Sequence, residues 1–200
     1  MHKIKKRFSA EERRKQILRS AIRVFAQSNY RAARVADIAA ETGISEATIY
    51  KYFPSKKAIF LEILTYMSER IIILWEREYE TEPDALKALR AMGKTYYERM
   101  TNHPEELKVH FQAVSEVNDS DIAERLRLDH ERYVQFIAKV LEKGVRQGTI
   151  RSDRDIYTMA WLVNGIGILM NMVKLLSFDT VFNETIIPQI IDHLIESVMA

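Results

Sequence analysis

An all-α fold is what this sequence predicts, and three observations predict it. Only four prolines and six glycines punctuate 200 residues, and helix-forming residues fill the stretches between them. Within those stretches apolar residues recur at three- and four-residue steps, the spacing of one helix face. Near the N-terminus, two short apolar-faced segments are pinched around a single glycine, the pattern of a helical corner. Together they predict a three-helix N-terminal unit that continues into a larger C-terminal helical bundle, about nine helices in all.

Taken in order, Met1 to Phe8 (MHKIKKRF) is a basic arm. A solvated tail and a contact to nucleic-acid phosphate or minor groove are both open to it. Ser9-Ala10-Glu11-Glu12 reads as a capping box that starts a helix. Its buried stripe is Ile17, Leu18, Ala21, Ile22, Val24 and Phe25, and it ends near Ser28-Asn29. The next helix, Val35 to Thr42, sets Val35, Ile38 and Ala39 on one face, and Gly43 suits the left-handed position that closes it. Ile44 plugs the corner, and Ser45 caps a helix over Glu46 to Phe53 that Pro54 stops. On this last helix Ile49 and Phe53 point inward, while Ala47, Thr48, Tyr50 and Lys51 share the opposite side. A face with small residues can lie close to a surface, as a reader of the major groove must. Thr48 can hydrogen-bond a base or phosphate, and its methyl or that of Ala47 can meet a thymine methyl. Tyr50, Lys51 and Tyr52 suit phosphates, which set register. An ordinary surface corner between two helices is the alternative reading.

Ser55 caps a helix running to about Glu80, with Ile59, Phe60, Ile63, Leu64, Met67, Ile71, Leu74 and Trp75 on its apolar face. Lys56 and Lys57 oppose the dipole in its first turn, which asks for anionic partners. After Pro83 a helix continues to about Thr101. It contains Gly93-Lys94-Thr95, the tail of a phosphate-binding loop, but Ala88 stands where that loop needs its first glycine. Pro104 to Val117 directs Leu107, Phe111 and Val114 inward, and the helix after Asn118-Asp119-Ser120 follows Ile122, Leu126, Tyr133, Ile137, Val140 and Leu141 to before Gly148. About Arg154 to Leu176 is apolar nearly all round and long enough for a bilayer. Asn164, Asn171 and Lys174 interrupt it, so the expectation is a helix buried on all sides in a soluble protein, with no membrane partner. The last helix, about Asn183 to Met199, has an equally wide apolar stripe. These two helices suggest a four-helix dimer seam, with Gly165, Ile168, Ile187, Ile190, Ile191 and Leu194 as its candidates; a large core is the alternative.

Charge is lopsided. Residues 1–57 hold 14 Lys or Arg against 5 Asp or Glu, and the remainder holds 16 against 23. A basic segment that coincides with a helical corner is the footprint of a polyanion partner. There are no cysteines, which excludes disulfides and thiolate metal sites and fits a cytoplasmic protein.

The segment Val35–Ile38–Ala39–Gly43–Ile44–Ser45–Thr48–Ile49–Tyr50–Tyr52–Phe53–Ser55–Lys56 resembles the signature of the tetracycline-repressor (TetR) family of bacterial transcription regulators. The match extends from about Ser9 to about Phe60. Two positions depart from it: Asn29 replaces a usual glycine, and Ala33-Arg34 replaces a usual hydroxyl cap. The resemblance implies a helix-turn-helix DNA-binding domain over 1–57 and an effector-binding and dimerisation domain over 58–200. It implies DNA-binding roles for Arg34, Val35, Ser45, Ala47, Thr48, Tyr50, Lys51, Tyr52, Lys56 and Lys57. It also implies a homodimer on operator DNA that a small molecule releases.

Candidates for lining a largely apolar effector's pocket are Trp75, Tyr79, Tyr96, Tyr97, Met100, Phe111, Trp161, Asn164, Met170 and Met172, which mix aromatic, thioether and amide groups. Glu106 and His110 stand four apart, a metal-compatible spacing, but are read as a solvated pair on an exposed face. No catalytic constellation, metal site or cofactor is expected. A ligand-responsive DNA-binding regulator, most often a repressor, is the reading; a helical interaction module or a ligand-binding enzyme without DNA binding are the alternatives.

Overall fold

The computed structural model describes residues 8–178 and 186–199, apart from the side chains of 187, 194, 195, 197 and 198. Among the described residues there are nine helices and no strand. They are α1 (Ala10–Ser28), α2 (Val35–Thr42), α3 (Glu46–Tyr50), α4 (Lys56–Thr81), α5 (Ala85–Asn102), α6 (Pro104–Ser115), α7 (Ser120–Arg146), α8 (Ile156–Leu175) and α9 (Ile186–Val198). The basic arm at 1–7 and the expected start of the last helix at 183 lie outside the described residues.

Local chemistry sets the boundaries. Ser9 and Glu12 form a reciprocal capping box at α1, and Asn29 closes that helix at φ 104, a backbone region that L side chains rarely adopt. Its amide oxygen accepts from the Ala32 N–H at 2.9 Å, which holds the turn. Gly43, at φ 72, ends α2, where any Cβ would be strained. Ser45, Ser55, Asp84, Asp119 and Asp155 each accept a backbone N–H at the start of their helices. Helix α3 is shorter than its sequence suggests: it stops at Tyr50, and a turn carries the chain to Phe53.

Two apolar cores lie along the molecule, and α4 runs through both. The first gathers α1, α2, α3 and the first half of α4 around Phe25, Ile38, Ile49, Phe53 and Phe60, all essentially buried. Val109 and Ala113 of α6 and Ile122 and Leu126 of α7 belong to this same core. The boundary expected at residue 57 thus falls within the first turn of α4, and one core spans it. The second core joins Ile71, Ile72 and Trp75 of α4 to α5, α7 and α8.

One packing expectation is corrected. Val114 is exposed, and α6 instead turns Leu107, Val109 and Ala113 inward, because the N-terminal unit covers that side of the helix. Helix α8 is not enclosed within its own subunit. Residues Ala160, Asn164 and Asn171 face inward, whereas Tyr157, Trp161, Leu162, Leu169, Met172 and Leu176 form an exposed apolar stripe. By length and composition α8 could cross a membrane. Its two buried amides, seven residues apart on the inner face, instead match a helix packed on polar partners of the same chain.

Candidate nucleic-acid interface and internal cavity

At the reading end, Ala47, Tyr50 and Lys51 are exposed on α3 and the turn after it. Ser45 is exposed, caps the helix at the Thr48 N–H, and lies 2.9 Å from Thr48 Oγ1. The Thr48 hydroxyl is therefore already aligned by a neighbour. Arg34 is exposed at the start of α2, where its N–H donates to Asp37 Oδ2 at 2.9 Å. The carboxylate of Asp37 thus satisfies the N–H at the cap position, while among the described residues no side chain accepts from the first turn as a hydroxyl would.

Four of the sequence-derived contacts are corrected or reassigned. Val35 is buried in the first core, since its position on α2 faces α1. Lys56 Nζ donates to the carbonyls of Tyr30, Arg31 and Ala33 at 2.7, 3.3 and 3.0 Å and sits 4.8 Å from the Tyr30 ring centroid. It closes the loop between α1 and α2. Lys57 pairs with Asp119 at 3.1 Å and Asp121 at 2.6 Å, at the start of α7. The partnership raises the Lys57 pKa and lowers that of Asp119, chiefly through their hydrogen bonding. Tyr52 is half-buried against the core, and its carbonyl accepts from Arg14 at 2.7 Å. The anions expected at Lys57 are thus supplied within the chain, whereas Lys56 is met by neutral backbone carbonyls.

Further contacts tie the reading unit to the bundle. Gln112 Nε2 of α6 donates to the Phe25 carbonyl at 2.8 Å, and Arg31 pairs with Glu116 at 2.7 Å.

Between α4, α5, α7 and α8 lies a cavity of about 100 Å³. Of the residues chosen from sequence, Trp75, Tyr96, Met100, Asn164 and Met170 line it. Tyr79 packs instead on Phe136 and lies beneath Lys139 and Lys143, and Tyr97 borders a separate groove between α5 and α9. Phe111 packs edge-on against His110 rather than opening to the cavity. Trp161 and Met172 lie on the outer side of α8, half exposed, about 60–100° around the helix from Asn164 and Asn171. Of the seam candidates, Gly165 and Ile168 are exposed, although Ile168 also borders the cavity. Gly165 has open space around it, and Gly167 lies against the Tyr96 ring. Ile191 faces its own subunit over Gly93, and Ile190 is half-buried; the side chains at 187 and 194 lie outside the described set.

The polar lining is where sequence reading missed most. His110 and His130 meet edge-to-face at 6.1 Å between centroids, and His130 Nδ1 lies 3.3 Å from Asn164 Nδ2. Burial, with His130 adding to it, drives the His110 pKa down to about 4, so this ring is neutral at pH 7. Asn171 Nδ2 donates to Tyr96 Oη at 2.6 Å, and burial raises the Tyr96 phenol to about 12. Asp129 is buried and held by Arg125 at 3.1 and 2.5 Å. Glu106, expected to share an exposed face with His110, is buried in an ion pair with Arg99 at 2.5 Å. A sequence signal existed: Ser68, His110, Asp129 and His130 each interrupt an apolar stripe, and Asn164 and Asn171 repeat at seven.

Comparison with known proteins bears on both regions. Residues 17–63 match the profile of the bacterial regulatory proteins of the tetR family. The chain is 27% identical over 144 residues to the HTH-type transcriptional repressor KstR2 of Rhodococcus jostii, a span of 72% of this chain and 71% of that one. It is 20% identical over 150 residues to the fatty acid metabolism regulator protein of Bacillus subtilis, covering 75% and 77% of the two chains. A transcriptional regulator from Saccharomonospora viridis, solved in complex with choline, is 28% identical and superposes with a TM-score of 0.73 over 95% of this chain and 99% of that one. A TetR transcription regulator from Haloarcula marismortui shares the fold at a TM-score of 0.84 and 17% identity, over 95% and 100% of the chains.

Proposed function

We infer that the chain is a DNA-binding transcriptional regulator of the tetR family, a homodimeric repressor that a small molecule releases from operator DNA. The observation that carries this reading is the double service of α4. Its N-terminal half fills the core of the reading unit through Ile59, Phe60 and Ile63, while Leu64, Met67, Ser68, Ile71 and Trp75 wall the cavity. A molecule that enlarges the cavity must push on the rod that holds the reading helix. It then acts by binding one head position better than the other.

Ala47, Thr48, Tyr50, Lys51 and Arg34 form the DNA face in this reading, with Ser45 setting the Thr48 hydroxyl. The exposed stripe on α8 supplies the dimer seam, since an apolar face of this length is normally covered. A twofold protein then takes a near-palindromic site with half-sites about 34–36 Å apart. The protein works in the cytoplasm and carries out no enzymatic step. The neighbour solved in complex with choline is consistent with a small organic effector.

The test is selection of bound fragments from random duplex DNA, followed by challenge of the selected complex with a small-molecule library. A palindromic consensus and release by a compound that binds the cavity are expected. Equal retention of every fragment, or a selected site without internal symmetry, would overturn the reading.

A further inference from the structure

We propose that the cavity takes an uncharged molecule with an apolar body and a hydroxyl group, in its simplest form an aliphatic alcohol, with the hydroxyl seated on Tyr96 and Asn171. This deepens the effector reading above and rests on it.

Hydrogen bonding is the first ground. Asn171 is only 6% exposed, its Nδ2 donates to Tyr96 Oη, and its Oδ1 is buried with no donor among the described residues. A buried acceptor left in this condition is costly, so it is a place where a donor is wanted. The phenol, having accepted from the amide, still has its own proton to give. A hydroxyl answers both needs, donating to Oδ1 and accepting from Tyr96. If the amide is set the other way round, Tyr96 donates to Oδ1 and the NH2 is left over, and a hydroxyl accepts from it. An alkyl end serves neither arrangement.

Charge is the second ground. No Lys or Arg is among the described residues lining the cavity. Asp129 is the one carboxylate there, and Arg125 holds both of its oxygens. His110 is neutral at pH 7 because burial opposes its proton. The cavity is therefore polar in places yet carries no net charge to receive an ion. A bound acid would have to take up a proton or charge the two imidazoles, and a bound cation would have to draw Asp129 away from Arg125. Burying an ion of either sign without a partner costs more than one hydrogen bond returns. At about 100 Å³ the cavity is small for a ligand pocket, which favours a short molecule.

The experiment compares three probes that differ only at the head: 1-hexanol, hexanoate and hexylamine, titrated into the full chain at pH 7.5. The reporter is the fluorescence of Trp75, a wall residue, in a Trp161→Phe background that leaves it the only indole. Hexanol is expected to bind about tenfold or more tightly than either ion. Asn171→Leu should raise the melting temperature of the free protein, by removing an unpaired buried acceptor, and yet weaken hexanol about fivefold. Tyr96→Phe should weaken it as well, while Asn171→Asp should turn the preference towards hexylamine. Tighter binding of hexanoate or hexylamine to the wild-type cavity overturns the proposal. So does the lack of saturable hexanol binding, or hexanol binding untouched by both Asn171→Leu and Tyr96→Phe. The broader reading is judged separately on operator DNA. An alcohol that binds as stated and leaves the DNA complex intact defeats the effector role alone. An acid that fills the cavity and releases DNA keeps that role and defeats this choice of ligand.

Discussion

The reading unit and the bundle behind it are both helical, but they treat their polar groups differently. In the reading unit Phe25, Tyr30 and Phe60 stack within 6.0 Å of one another, and charges find partners: Arg14 with Glu62, Arg23 with Glu41, and Lys56 with three carbonyls. The bundle keeps a cavity, a buried Arg99–Glu106 pair, an unpaired amide oxygen on Asn171 and a bare apolar stripe on α8. The first region is built to hold one shape against a surface it meets from outside. In the second, what is unmet marks the places that the proposed small molecule and the proposed second copy along α8 would fill.

The contrast can be broken most directly by truncation in each region. Phe60→Ala should cost about 3–5 kcal/mol in urea denaturation, because a packed aromatic cluster cannot collapse around the gap. Met92→Ala, in the wall of an existing cavity, should fall near the low end of the range for such changes, about 2 kcal/mol. Equal losses would mean that the cavity wall is as rigid as the reading unit.

The next effect is a matter of pH. The unfolded chain protonates His110 near the ordinary 6.5, whereas the folded protein resists until about 4. The unfolded state thus binds more protons within that window, and stability present above it is lost as pH falls through it, by about 3 kcal/mol in total. His110→Phe should remove this portion of the loss, as read from urea midpoints at pH 7 and pH 4.5. An unchanged pH profile would place that imidazole in water.

Leu169→Glu puts a charge on the exposed stripe of α8. It should leave the fold intact, as seen by circular dichroism, and dissociate the dimer in sedimentation. Operator affinity should drop about tenfold to a hundredfold although no DNA-facing residue has changed. A monomer that still binds a full palindrome at wild-type strength would separate dimerisation from DNA reading.

The smallest effect concerns salt. Lys51 is exposed, while Lys56 and Lys57 are engaged within the chain. Lys51→Ala should flatten the dependence of log affinity on log salt by up to about 0.9, and Lys56→Ala by less. Equal slopes would show that Lys56 leaves its carbonyls on DNA.

The reading unit was legible because its signals are local. Gly43, Ser45 and Pro54 mark boundaries by their own backbone chemistry, and Ile38, Ile49 and Phe53 need only one face to be buried. The bundle was legible as helices and not as a site. A helical wheel places Glu106 and His110 on one side of α6 without saying what covers that side, and α5, through Arg99, and α7, through His130, cover it. The contacts that define the cavity link residues far apart in sequence: Asn164 to His130, Asn171 to Tyr96. Lys56 and Lys57 misled for a related reason. Their charges were legible, but the carbonyls at 30–33 and the acids at 119 and 121 come from other parts of the chain.

Val109, Ala113, Ile122 and Leu126 complete the core of the reading unit, and Gln112 is bonded to the carbonyl of Phe25. These residues come from the bundle, so the reading unit is not a portable cassette. Grafting residues 1–57 onto the bundle of another regulator would set Phe25 and Phe60 against unfamiliar side chains and leave the Phe25 carbonyl with the Asn29 N–H but without Gln112. Exchange of operator specificity between such proteins has to be made on the outer face of α3, or else carry α6 and the start of α7 along with it.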